Sequence, residues 1–157
     1  MHDFTQLAEI AKDKKQRKRI VVIFPEDESC LYATNRILEE GLASFIFITK
    51  QYSEEIDKLL IAYPKTTEKV EVSCYDEGAP KAVQLIKEKK ADILMKGMVS
   101  SDVLLKAVLN KEDGILPPGN TLSHITIAEI PDYHKLLMFS DVAVIPYPSL
   151  EQFIQIT

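Results

Sequence analysis

Two cysteines in 157 residues, Cys30 and Cys74, are too few and too far apart for a metal site or a redox pair. Both stand among apolar neighbours, which predicts free thiols in a reducing compartment. No segment approaches the ~20 apolar residues that a membrane span requires. The opening MHDFTQLAEIAKDKK has early acidic residues and no apolar core, so it does not read as a signal peptide. A cytoplasmic protein without membrane contact is expected. A basic excess is missing too: 24 acidic residues outnumber 19 Lys and Arg, for a net charge of −5. The basic run Lys12 to Arg19 then reads as the solvated end of an N-terminal helix, and no nucleic-acid partner is expected. Nucleotide-loop signatures are absent, with no GxxxxGK[ST] and no GxGxxG after any strand. His124 has no second histidine near it in sequence, so no metal site is expected.

What remains is a chain 46% hydrophobic and 27% charged, the profile of an ordinary soluble domain with a sizeable core. Phe4, Leu7, Ala8 and Ala11 predict an amphipathic helix over 4–16. Ile20 to Phe24 (IVVIF) and Phe45 to Thr49 (FIFIT) are strands buried on both faces. Between them PEDES turns the chain and a helix runs from Leu31 to a stop at Gly41. Ser53 caps a helix that ends before Pro64. Val70 to Tyr75 (VEVSCY) alternates as a third strand, and Pro80 to Lys90 is helical. Then come a strand at 92–95, a turn at 96–101 and a helix at 102–110. Strands alternating with helices imply a mostly parallel sheet covered on both faces. After the stiff loop GILPPG the pattern changes. Asn120 to Glu129, Leu136 to Phe139 and Val142 to Ile145 read as strands with antiparallel pairing. Ser149 to Thr157 starts a helix with a serine cap and no C-cap, as if the element continued.

Chemistry concentrates in two places. At Lys96-Gly97-Met98-Val99-Ser100-Ser101 a strand ends, a glycine permits close approach, two hydroxyls follow and a helix begins. That is an anion site in outline, with Lys96 adding a full charge. The same serines serve equally as a plain helix cap. At Asn120-Thr121-Leu122-Ser123-His124, alternation would put polar groups on both faces of a strand, as at a cleft rim. A lone histidine such as His124 is more often a structural residue than an acid–base catalyst.

The series ILMKGMVSSDVLLKAVLNKEDG, then GNTLSHI, then IPDYHKLLMFSDVAV resembles the phosphate acetyl/butyryltransferase family, nearest its phosphate butyryltransferases. PEDESCLYAT resembles that family's opening βα turn. The resemblance implies transfer of a short acyl group between coenzyme A and inorganic phosphate, with coenzyme A a substrate and no bound cofactor. It also implies a fold similar to isocitrate/isopropylmalate dehydrogenases, two α/β domains around a cleft. On that reading 1–145 is the first domain and 146–157 the start of the crossing to a second, absent here. Lys96, Gly97, Ser100, Ser101, Lys106 and Thr121 become candidate substrate-binding residues, and Ser123 and His124 candidate catalytic ones. Relatives often carry an arginine where this chain has Ile115-Leu116-Pro117-Pro118, so Lys96 or Lys106 would replace a bidentate donor by a point charge. With half the cleft missing, little turnover and self-association are expected of these 157 residues alone, and a homo-oligomer of the whole. The alternative is a non-catalytic binding or oligomerisation module of the same fold, or a sensor that keeps only the anion site.

Overall fold

A computed structural model describes residues 1–12, 17–50 and 53–156. The far end of the expected helix 4–16, much of the basic run and the last residue of the expected helix 149–157 lie outside them. The chain divides into two compact units, Lys14–Ile115 and the pair Met1–Asp13 with Leu116–Thr157. Each unit is taken by itself.

The larger unit is an α/β sandwich. Its strands are β1 (Lys18–Ile23), β2 (Ala43–Thr49), β3 (Thr67–Glu71) and β4 (Ile93–Lys96), joined by α2 (Glu28–Glu39), α3 (Glu54–Ala62) and α4 (Tyr75–Lys87), with α5 (Ser101–Val108) following β4. The helix α1 (Phe4–Lys12) belongs to the other unit. All pairings are parallel, in the order β3-β2-β1-β4. The expected mostly parallel sheet is present.

Alternation along the two central strands builds a core on each face. Ile20, Val22, Phe45 and Phe47 point to one side and meet Cys30 and Leu38 of α2 and Ile56 and Leu59 of α3. Val21, Ile23, Ile46 and Ile48 point to the other, against Ala79, Ala82 and Leu85 of α4, with Val103 and Leu104 of α5 beside them. Helix starts follow the sequence. Asp27 caps α2 by accepting the Cys30 amide at 2.9 Å, and Ser53 caps α3 through Ile56. Gly41, at φ +67°, takes the left-handed position that ends α2.

Three expectations need correction. The third strand is Thr67–Glu71 rather than 70–75, because Cys74 is already the N-cap of α4. That helix begins at Tyr75 and passes through Pro80 instead of starting there. Pro80 cannot donate to the Asp76 carbonyl, a loss confined to the helix's second turn, while Asp76 and Glu77 favour its first.

The third correction falls in the smaller unit, which holds α1, β5 (Thr126–Ala128), β6 (Leu137–Phe139) and α6 (Leu150–Ile156). Its strands pair antiparallel, as expected, but only over those three residues each. Residues 120–125 and 142–145 are not strand. Among them the amides of His124, Ala143 and Val144 are drawn off by one side chain, as the site shows. Two hydrogen bonds tie the N-terminus in: the Leu136 amide donates to the Met1 carbonyl and the Phe4 amide to the Glu129 side chain at Oε2.

Candidate active site

The strand order sets where a ligand would bind in the larger unit. From β1 the chain moves outward through β2 to β3 with α2 and α3 on one face, then returns to β4 with α4 and α5 on the other. The order therefore reverses between β1 and β4. Outside the carboxyl ends of those two strands lies the crevice that open α/β sheets use for ligands.

Two turns meet there. The Gly97 amide donates to the Ile23 carbonyl at 3.0 Å and the Met98 amide to the Phe24 carbonyl at 2.8 Å. Phe24 sits at φ +52°, which turns its carbonyl out of the normal strand direction. A Cβ on Gly97 would lie 2.3 Å from the Phe24 oxygen and 2.5 Å from that of Ile23. Glycine is needed there so that backbone can approach backbone, and Gly97 is buried. From this anchored point Lys96 folds over its own turn: Nζ donates to the Val99 carbonyl at 3.0 Å and reaches the Gly97 carbonyl at 3.4 Å. An ammonium has three N–H bonds, so one is left for a ligand. Ser100 caps α5 by accepting the Val103 amide at 3.3 Å, which leaves its O–H free to donate. Lys96, Ser100 and Ser101 are all exposed. The plain cap and the anion site expected from the sequence are thus compatible on the same atoms.

Lys106 is elsewhere on α5. It lies five residues past Ser101 in sequence, ~7.5 Å along the axis, beside Asp102, Leu105 and Leu109 in a shallow depression. The structure does not bring it to the Lys96 turn.

Glu26, in the turn after β1 and just before the α2 cap, was not singled out from the sequence. Burial pushes its carboxyl up and the charge of Asp27 adds to this, against its own amide. It lines a depression with Glu28, Ser29 and Glu55. A groove of about 910 Å³ runs between α4 and the end of α5. Its lining carries the carboxylates of Glu71, Asp76, Glu77, Glu88 and Asp113 against the ammonium groups of Lys81 and Lys87, a negative balance that disfavours anions, so the β1/β4 crevice is the better candidate.

Thr121, Ser123 and His124 belong to the smaller unit, Thr121 and His124 half-buried and Ser123 exposed. They are not on a strand, so the alternation expected of them does not apply. The His124 amide donates to Asp141 Oδ2 at 2.8 Å, and the Ser140 hydroxyl donates to the His124 carbonyl at 2.6 Å. Asp141 Oδ1 also takes the amides of Ala143 and Val144, each at 2.8 Å, which is why 142–145 cannot join a ladder. Burial raises the Asp141 carboxyl, but the amides of Val144, Ala143, His124 and Ile145 together outweigh it and hold it at about 2. Asp141 was missed. Its only signal in sequence is an Asx-turn pattern, Asp followed by an irregular apolar run.

Fold and crevice define a class first, a parallel α/β domain with a ligand site at its topological switch point. Residues 50–157 match the phosphate acetyl/butaryl transferase family, and the chain belongs to it. A probable phosphate butyryltransferase of Bacillus subtilis is 36% identical over 142 residues, 90% of this chain and 46% of that protein. A phosphate butyryltransferase of Clostridium acetobutylicum is 33% identical, with 90% and 47% covered, and a phosphate acetyltransferase of Thermotoga maritima 28% identical, with 94% and 49% covered. The crystal structure of a branched-chain phosphotransacylase from Enterococcus faecalis shares the fold, with a TM-score of 0.69 at 22% identity over 88% of this chain and 47% of that one. The chain spans about half the length of the curated relatives it matches.

Proposed function

We propose that the whole protein transfers a short acyl group between coenzyme A and inorganic phosphate, and that this chain carries its phosphate-binding turn. The observation that carries the reading is the Lys96–Ser101 turn. An ammonium with a spare N–H, two exposed hydroxyls and a helix start converge at the switch point of a sheet, in a chain of this family. A phosphate oxygen attacks the thioester carbonyl carbon, the C–S bond breaks, and the sulfur takes the proton that the hydrogen phosphate gives up and leaves as coenzyme A thiol. No electrons are transferred, so the balance calls for no redox group, and coenzyme A is a substrate. The turn's part is to hold and orient the dianion, since fixing two reactants together supplies much of the rate.

Ser123 and His124 are assigned as candidate catalytic residues, His124 as an acid or base, and Thr121 and Lys106 as substrate-binding ones. An isocitrate/isopropylmalate dehydrogenase-like pair of domains, with 146–157 starting the crossing, fits the family reading. So do a homo-oligomer and a cytoplasmic location. Among the described residues no helix is long and apolar enough to cross a membrane.

The test is release of free thiol from butyryl- or acetyl-CoA on adding phosphate to the whole protein. Lys96→Ala is expected to raise the KM for phosphate about tenfold or more, the loss of a charge-assisted contact, with little change in the KM for acyl-CoA. No thiol release with any short acyl-CoA would sink the proposal.

A further inference from the structure

In the smaller unit the Ser123–His124 segment is held from outside by two consecutive residues. Its His124 amide goes to Asp141 Oδ2 at 2.8 Å, and its His124 carbonyl receives the Ser140 hydroxyl at 2.6 Å. Both main-chain groups of one residue are thereby satisfied by side chains 17 and 16 positions away. The other carboxylate oxygen of Asp141 is fixed to its own loop by the Ala143 and Val144 amides. One oxygen anchors Asp141 and the other reaches across. The imidazole completes the arrangement, with Nδ1 3.4 Å from Thr126 Oγ1 at the first residue of β5.

We propose that Asp141 and Ser140 are positioning residues for Ser123 and His124, forming a two-point clasp on the His124 backbone. This rests on the assignment of those two residues to the acyltransferase site. Holding the amide and the carbonyl of His124 fixes the peptide planes on both sides of it, and so the points from which the Ser123 and His124 side chains leave the backbone. An unclasped segment would lose that freedom only when substrate arrives, which weakens binding. A clasped one has lost it on folding.

The division between the two oxygens makes the idea testable. In Asp141→Asn one acceptor oxygen remains, and two amides of its own loop set its orientation. The new NH2 then faces the His124 N–H, donor against donor. Amide hydrogen exchange and a butyryl-CoA titration, both followed residue by residue by NMR on the full chain, read the outcome. In D141N the His124 amide is expected to exchange roughly tenfold faster, as for a lost hydrogen bond to a charged group. Ala143, Val144 and the β5–β6 amides keep their protection. The butyryl-CoA affinity read at Ser123 and His124 falls about fivefold, and S140A gives the same pattern at smaller size. Unchanged His124 exchange overturns the clasp. Parallel loss of β5–β6 protection makes Asp141 merely structural and overturns positioning. A loosened segment that binds butyryl-CoA at full affinity overturns it as well, and leaves the proposed activity standing. If butyryl-CoA shifts neither resonance in the parent chain, the positioning claim falls with the assignment of these residues. The thiol-release assay then decides the activity on its own.

Discussion

Among the described residues, nearly the whole buried apolar core lies in Lys14–Ile115, and Leu136 alone represents the other unit. In that smaller unit Met138, Val142, Leu150 and Phe153 are each more than half exposed, while Val21, Val22, Phe45 and Phe47 in the larger one are fully buried. The larger unit is held by two apolar layers over a sheet. The smaller one is held by short antiparallel pairing and by side chains that take backbone groups, chiefly Asp141 and Ser140. Apolar burial is non-directional and spreads its contribution over many residues, whereas a carboxylate on three amides concentrates it in one. The two regions should therefore fail in different ways.

The sharpest contrast is between two large side chains. Phe47→Ala empties a buried site stacked against Phe45 and should cost ~3–5 kcal/mol. Met138→Ala, on a residue 56% exposed, should cost within about 1 kcal/mol. Urea unfolding of both variants measures this, and equal losses would remove the distinction drawn between the units. Gly97→Ala comes next. Its added methyl meets two carbonyl oxygens rather than a side chain that can move aside, so roughly 1–3 kcal/mol of overpacking strain is expected. Phosphate affinity should drop with it, because the Lys96 turn hangs from that junction. Full stability in G97A would mean that the β1–β4 junction yields more easily than its geometry implies.

Acid separates the units by sign. The Asp141 carboxyl is held at about 2 in the folded chain against an ordinary 3.8. Its contribution is therefore complete above the unfolded value and is lost as the pH falls from about 4 toward 2. Glu26 runs the other way: its folded-state value is raised, so its ionised form opposes folding and acid relieves that penalty. Exposed pairs such as Lys18–Asp92 are screened in about 0.5 M salt. Under those conditions hydrogen exchange on lowering the pH from 5 to 3 should loosen residues 124 and 143–145 before the central sheet. Loosening of β1 and β2 first would reverse the ranking.

Much of the larger unit was legible because its signals are local. IVVIF is wholly apolar and FIFIT carries one polar residue, the terminal Thr49, so neither has an alternating polar face to place in water and both strands had to be central. Ser53 and Ser100 were recognised as caps from the residues that immediately follow them. The third strand, TEKVE, was misplaced because an edge strand with half-exposed side chains carries little pattern. The start of α4 was misplaced because proline is usually a first helical residue, and here packing of Ala79 and Ala82 under the sheet holds it in the second turn. Around the candidate site, the turn from Lys96 to Ser101 between a strand and a capped helix was legible from its own residues. Glu26 and Asp141 were not, since a carboxylate's burial and its amide partners are invisible until the chain is folded.

The amino-acid order alone settled which segments are central strands, where helices start and that a lysine, a glycine and two serines follow a strand. Those features depend on neighbours within a turn or two, where sterics and capping act without help from the rest of the chain. The fold decided that β4 lies beside β1, that Gly97 touches the Phe24 carbonyl, and that Asp141 reaches back to His124. Each of these joins residues far apart in sequence. Such contacts form only when burial of the whole core offsets the entropy of closing the loops between them.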